Sequence, residues 1–205
     1  MRNRKILWHS LYAVAVAILV ASTAVAQQPG RIRGQIEKAD GAILSVKTRD
    51  GEVLKVNVDA NARVSALVKA SLADIKNESF IGVAGMPQPD GTIKAFSVHI
   101  FLPSQRGVVP DQHGSWDARP GSTMTNAYVE SMVAGRDGET VMVKYKDGEK
   151  KIVVASDTVI TAVAPGDKSE LKAGAHIIIF ASEEQADGSL LAKVIYVGRN
   201  VTPAM

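Results

Sequence analysis

The chain has 205 residues, of which 46% are hydrophobic and 22% charged, and it contains no cysteine. This is the composition of a globular protein of one or two small domains, and it excludes disulfides, cysteine nucleophiles, lipid attachment through cysteine and cysteine-ligated zinc. The formal net charge of +3 comes from Arg2, Arg4 and Lys5, because removing them from the 24 basic side chains leaves 21 against 21 acidic ones. A neutral body has no long-range attraction for phosphate, so we expect no nucleic-acid partner.

The first 26 residues have the three parts of a secretory signal peptide. Basic residues precede an apolar run from Leu11 to Val20, and the small residues Ala24-Val25-Ala26 precede Gln27. We expect cleavage after Ala26 and a periplasmic or secreted protein with no membrane span after cleavage. The alternative is an uncleaved helical anchor, but the apolar run is short for a hydrocarbon core of about 30 Å.

Three Asp-Gly pairs recur at a constant offset of 97 residues, which predicts an internal repeat. They are Asp40-Gly41 with Asp137-Gly138, Asp50-Gly51 with Asp147-Gly148, and Asp90-Gly91 with Asp187-Gly188. Around the second pair, residues 44–52 and 141–149 share five identities in nine positions. We therefore predict two domains, residues 27–101 and 126–198, joined by a connector of residues 102–125 and followed by a tail of residues 199–205.

The first copy has the sequence period of strands. Apolar and polar residues alternate over three segments, and the Asp-Gly pairs between them predict hairpin turns; these strands are predicted at residues 31–38, 43–48 and 53–58. A short helix is predicted at residues 71–76, with Ser71 as its N-cap and Leu72 and Ile75 on one face. Two further strands follow at residues 80–86 and 93–101.

The second copy repeats this order, with a short helix at residues 169–174 and closing strands at residues 175–182 and 190–197. Three strands, a short helix and two strands is the order of the OB-fold. The sequence therefore predicts an all-β protein of two tandem five-stranded OB-like barrels, each with one short helix between strands three and four. A β-sandwich is the structural alternative, although a copy of about 70 residues is short for its roughly seven strands. Because one copy would bury a marginal core, we expect the barrels to share an apolar interface.

Several turn motifs carry a resemblance to a known group of proteins. They are Thr48-Arg-Asp-Gly51, Lys146-Asp-Gly148, Glu170-Leu-Lys-Ala-Gly174 and Asp187-Gly-Ser-Leu190. With these motifs the chain resembles an uncharacterised OB-like domain found in exported bacterial proteins, here in tandem copies; the first copy departs from it at residues 74–78, where the glycine is missing. The connector and tail also resemble a group of such proteins sometimes called metal ABC transporter permeases, a name that conflicts with the single apolar segment of this chain. The resemblance implies a scaffold and no particular reaction.

The connector concentrates the candidate metal ligands. Asp111, His113 and Asp117 carry carboxylate and imidazole groups that suit a divalent cation, and His99 or His176 would add to them if the fold brings either one near. Their spacing matches no defined metal motif, so an ordinary solvated connector is the alternative. No other cofactor is expected.

Trp116 is the only tryptophan after the signal segment. It is either a loop anchor in the groove between the two barrels or a platform on which a ligand stacks. With Arg119 and Tyr128 it forms the set of residues that we predict to contact a ligand or partner. The strand positions of His99 and His176 predict that both lie at barrel rims.

The sequence contains no nucleophile-elbow serine motif and no His-Glu-x-x-His motif, so we expect a protein that is not an enzyme. We predict an exported binding or scaffold module of the cell envelope, which meets an envelope protein or a small ligand through the groove between the domains and the connector. The first alternative is a periplasmic protein that binds metal or a small ligand. The second is an envelope hydrolase, since paired catalytic carboxylates need not be close in sequence.

Overall fold

The computed structural model describes residues 31–135 and 138–204 of the chain. Within these residues the protein is all-β, with twelve strands and three single turns of 3-10 helix. The predicted signal peptide and Asp137 of the repeated Asp-Gly pairs lie outside the described residues. No helix in the described part is long and apolar enough to cross a membrane.

The strands follow the predicted positions closely in most of the chain. They are β1 (Ile32–Asp40), β2 (Ile43–Thr48), β3 (Val53–Lys69), β4 (Phe80–Pro87), β5 (Ile93–Ile100), β6 (Gln112–Ser115), β7 (Thr123–Gly135), β8 (Gly138–Tyr145), β9 (Gly148–Val154), β10 (Val159–Pro165), β11 (His176–Glu184) and β12 (Leu190–Gly198). The 3-10 turns are Leu72–Asp74, Pro103–Gln105 and Lys168–Glu170.

Single 3-10 turns stand where the sequence predicts short helices. At the first of them, Asp74 Oδ2 accepts hydrogen bonds from the backbone N–H and the hydroxyl of Ser71, at 2.8 and 2.7 Å. The chain is already extended again at Ile75, whose side chain is 3% exposed. Because burial of Ile75 draws the chain back into the core, the helix ends after one turn.

Five strands close into a barrel in the order β1-β2-β3-β12-β11, with β11 returning to β1. All of these pairs are antiparallel except β3 with β12, which is parallel. Alternate side chains point inward, and the barrel interior is filled by fully buried aliphatic residues that include Ile36, Leu44, Val46, Val56 and Ile195. We call this unit the first ring.

The strands β4, β5, β9, β8 and β7 form a second ring of pairings in that order, with β7 returning to β4. Its closing contact is short, a parallel pairing of β5 with β9 through Ile93 with Ile152 and Lys94 with Val153. The interior again consists of buried aliphatic side chains, among them Ile81, Val83 and Val141.

The strand pairing differs from the predicted arrangement of one barrel per copy. The first ring takes β1–β3 from the first copy and β11–β12 from the second, whereas the second ring is one continuous stretch, residues 80–154. The physical reason lies in β3, which the sequence predicts to end at Val58 but which continues to Lys69 and pairs there with β10 and β12. This extension carries the chain out of the first ring before β4 begins.

The strands β3 and β10 cross between the rings in an antiparallel pair whose register is symmetric. Ser65 lies opposite Pro165 and Val68 opposite Ala162. Ser65 and Ala162 are equivalent in the repeat, and so are Val68 and Pro165, because each pair is 97 residues apart. The two strands therefore meet about a local two-fold axis, which passes beside Leu67 and Val163.

A third apolar cluster fills the space between the rings. Its buried members come from β3, β4, β10, β11, β12 and the residue after β5, and they are Leu67, Phe80, Phe101, Val163, Ile178 and Tyr196. This cluster is the shared apolar interface that a marginal five-stranded core requires.

Candidate ligand-binding groove

A groove of about 800 Å³ opens beside the third cluster, between the rings and the connector. Its walls come from β3, β5, β7, β11 and β12 and from the connector. The aromatic lining side chains are Phe101, Trp116, Phe180 and Tyr196. This volume lies within the range of roughly 300–1,000 Å³ that small-molecule sites occupy, and the aromatic lining is also typical of them.

Trp116 lies where the loop-anchor interpretation places it, half-buried against the third cluster, and it also lines the groove. The guanidinium carbon of Arg31 is 4.0 Å from the centroid of the indole ring, a cation–π contact. The Nε1 atom of Trp116 is buried and has no hydrogen-bond partner among the described residues. An indole N–H is a donor only, so this atom is a donor without an acceptor.

The other two residues of the predicted contact set are placed elsewhere. Arg119 lies over Phe96, with 4.0 Å from its guanidinium carbon to the ring centroid. Tyr128 contacts Phe80 with tilted rings, 4.8 Å between centroids, and packs against the third cluster. Neither side chain lines the groove, so of the three predicted residues the structure brings only Trp116 to it.

The three candidate metal ligands each have a different partner. Asp111 Oδ1 accepts a hydrogen bond from the backbone N–H of Lys146 at 2.5 Å, and His113 Nδ1 lies 2.8 Å from the hydroxyl of Thr125. Burial lowers the pKa of His113, and the charge of Lys150 adds to the effect.

Asp117 forms salt bridges with Arg33 at 2.6 Å and with Arg31 at 3.4 Å. Burial favours the protonated acid, but the hydrogen bonds and charges of the two arginines outweigh it and lower the pKa of Asp117. Among the described residues no group of three or more His, Cys, Asp or Glu side chains is placed to hold a metal ion.

His99 is buried, with 3% of its surface exposed, where the sequence predicts a position at the barrel rim. Its ring lies over Gly82 of the neighbouring strand and meets Phe101 edge-on at 4.6 Å between centroids. Burial lowers the pKa of His99 to about 3, so the imidazole is neutral at physiological pH. Its Nδ1 atom has no hydrogen-bond partner in the described part of the chain. His176, in contrast, is half-buried at the start of β11 and does not line the groove.

Tyr196 and Gln105 both line the groove, and Gln105 Nε2 donates a hydrogen bond to the tyrosine hydroxyl oxygen at 2.7 Å. Burial raises the pKa of Tyr196 above its ordinary value, so the phenol stays protonated. Among the described residues the hydroxyl proton has no acceptor. Arg63, an exposed residue of β3, lies near enough to this hydroxyl to oppose the rise of the pKa through its charge.

Sequence reasoning missed Tyr196, Gln105 and Arg63 as groove residues, and it considered His99 only as an additional metal ligand at a barrel rim. One signal was present, because the 97-residue offset equates His99 with Tyr196. A polar aromatic residue at the same place in both closing strands indicates two side chains related by the local two-fold axis, and both line the groove.

Comparisons with protein-family models, curated proteins and solved structures found no match for this chain. The resemblance to an exported OB-like domain therefore stays a prediction from the turn motifs.

Proposed function

We propose that this protein is an exported, non-enzymatic binding module of the cell envelope that holds an envelope protein or a small ligand in the groove between its two rings. The observation that carries the proposal is the groove itself, a cavity of about 800 Å³ lined by Phe101, Trp116, Phe180 and Tyr196. A cavity of this volume with an aromatic lining and a few polar side chains is typical of a site that holds a ligand.

The non-enzymatic part of the proposal is supported by the chemistry of the lining. In the described part of the chain the residues that line the groove include no aspartate and no glutamate, whereas hydrolysis by paired carboxylates needs two acids facing one cleft. The neutral His99 contacts Phe101 and Gly82, and neither is a nucleophile that an imidazole would activate.

The export and fold assignments belong to the same proposal. The basic start, the apolar run and the Ala-x-Ala end of residues 1–26 support cleavage and release outside the cytoplasm. The order of three strands, one 3-10 turn and two strands in the first copy supports an OB-like ancestry, and the second copy differs from that order by one additional strand, β10, before its turn. Mass spectrometry of the protein recovered from the envelope fraction tests export: we expect a chain that begins at Gln27.

Crosslinking in living cells tests the groove. A photoreactive amino acid at Ser104, an exposed lining residue, is compared with the same group at Val133, which is 59% exposed and does not line the groove. We expect a specific adduct at Ser104 only. In the same chain Gly114→Phe should suppress that adduct, because a side chain added at Gly114 enters open space within the groove. Equal adducts at Ser104 and Val133, or an adduct that Gly114→Phe leaves unchanged, would contradict the proposal.

A further inference from the structure

The charged side chains that line the groove are of one sign. Among the described residues the lining contains two arginines, Arg31 and Arg63, and no acidic residue. Arg31 is already paired with Asp117 and stacked on Trp116. Arg63 forms no salt bridge among the described residues, so it is the cation available to a bound molecule.

A hydrogen-bond donor, Tyr196, lines the groove on the paired strand β12, where Val194 lies opposite Arg63 and Tyr196 opposite Ser65. The hydroxyl oxygen of Tyr196 accepts a hydrogen bond from Gln105. The hydroxyl proton of Tyr196 therefore remains available to a bound molecule. The side chain is 7% exposed and packs edge-on against Phe180, with 4.9 Å between centroids, so its position is fixed by packing. The phenol of Tyr196 and the guanidinium of Arg63, on paired strands that line one groove, are two hydrogen-bond donors suited to an oxyanion.

Large apolar side chains line the groove beyond this polar corner, together with smaller polar residues such as Ser104 and Ser115. The apolar ones include Phe101, Val109, Trp116 and Phe180, which belong to or pack against the third cluster. Contact with these side chains favours binding because it removes apolar surface of a ligand from water.

We propose that the groove binds an amphipathic carboxylate, with the carboxylate between the Arg63 guanidinium and the Tyr196 hydroxyl and the apolar body along Phe101, Trp116 and Phe180. This inference rests on the proposed function, because it names the class of ligand for the same groove. Charge complementarity selects the anion, and the cavity of about 800 Å³ suits a small molecule better than a helix of 20 residues, which is about 30 Å long.

Calorimetric titration of the chain beginning at Gln27 tests the proposal with two acids, 2-naphthoate and decanoate, and with their uncharged amides. We expect both acids to bind at least about tenfold more tightly than the amides, because a charge-assisted hydrogen bond is lost in the amide. The flat and the flexible acid together show which shape of apolar body the groove accepts.

Two variants locate the carboxylate. Arg63→Gln should weaken binding of the acids about tenfold and leave binding of the amides unchanged, and Tyr196→Phe should act in the same direction. Lys69→Gln is the matched control, since Lys69 is an exposed cation on the same strand that does not line the groove. Arg63 is exposed, so its replacement tests the site even if Tyr196→Phe disturbs folding.

Two results would overturn the inference: equal affinity for acids and amides, or an Arg63→Gln variant with unchanged acid binding. If neither acid binds but the crosslink at Ser104 persists, the ligand class is wrong and the proposed function stands. Loss of both would reject the two proposals together.

Discussion

Gly82 and His99 face each other across the β4–β5 pair, and this contact explains why a glycine lies in the middle of a buried strand. A Cβ atom added at Gly82 would lie 2.1 Å from His99 Nε2 and 3.0 Å from Asn126 Oδ1. The imidazole therefore occupies the space that a side chain at position 82 would need. Gly82 therefore sets the position of His99, which lines the groove.

Gly82→Ala should lower the free energy of unfolding by about 1–3 kcal/mol, the usual cost of overpacking a core. Chemical denaturation measures the loss, and Gly114→Ala is the control because its added methyl meets open space. Adding His99→Ala to Gly82→Ala should restore part of the stability. If Gly82→Ala and Gly114→Ala unfold alike, the contact does not restrict position 82.

His99 should make stability depend on pH. Its folded pKa of about 3 lies below the ordinary 6.5, so the unfolded chain binds a proton that the folded chain does not. Stability should therefore fall as the pH drops from about 6.5 toward 3, with a slope approaching about 1.4 kcal/mol per pH unit from this one group. Denaturation of wild type and His99→Gln at pH 7, 6, 5 and 4 measures the difference. Parallel curves would show that His99 does not titrate in this way.

Asp117 should also make stability depend on pH, by a smaller amount and through its charged form. Its folded pKa is lowered, so the stabilisation from its salt bridges is present above the ordinary value of 3.8 and is lost as the pH falls below it. Because both Asp117 and Arg31 are more than one-third exposed, we expect Asp117→Asn to cost less than about 1 kcal/mol at pH 7. Urea titration at pH 7 and pH 3 checks this, and a difference that persists at pH 3 would contradict it.

At the scale of elements, β3 is the strand on which the arrangement of the two rings depends. Over its 17 residues it pairs with β2, β10 and β12. Its second half meets β10 about the local two-fold axis, where Leu67 is fully buried in the third cluster. A defect at Leu67 therefore affects the contact between rings more directly than the interior of either ring.

Leu67→Ala should lower the free energy of unfolding by about 2–5 kcal/mol, the range for a leucine removed from a packed core. Val133→Ala on β7 is the control, since Val133 is 59% exposed and should change stability by less than about 0.5 kcal/mol. Thermal and denaturant unfolding both report the difference. A loss at Leu67 no larger than that at Val133 would mean that the interface between the rings carries little stability.

Sequence reasoning located most of the strands but missed β6 and β10, and it predicted the partners of the strands poorly. Strand β2 has the predicted bounds, Ile43–Thr48, because the alternation of side chains is a local property of an extended chain. The pairing of β3 with β12 joins residues more than 120 positions apart in sequence, and no local period specifies it. The groove residues show the same difference. Trp116 is noticeable from the sequence of its loop alone, whereas Arg63, His99 and Tyr196 come to one groove only through strand pairing.

At the scale of the whole molecule, the two ways of dividing the chain make different predictions about fragments. A cut along the repeat gives residues 27–101, which contain three strands of one ring and two of the other. A cut along the strand pairing gives residues 70–158, which contain all of the second ring and the buried Ile75.

We expect residues 70–158 to fold as a cooperative monomer, less stable than the whole chain because part of the third cluster becomes exposed. Residues 27–101 should not form a folded monomer, because this fragment lacks two strands of the first ring and three strands of the second. Sedimentation and circular dichroism with thermal melting distinguish the fragments. A cooperatively folding monomer of residues 27–101 would show that one copy can close a barrel by itself.

The continuous second ring, enclosed in sequence by the two parts of the first, sets an order of events for a newly made chain. Strands β1–β3 emerge first, yet their partners β11 and β12 come last. Contacts between distant residues form slowly, and unpaired strand edges attract other chains in the interval. The second ring can close while synthesis continues, so the N-terminal strands are the part of the molecule that stays unpaired longest and is most exposed to aggregation.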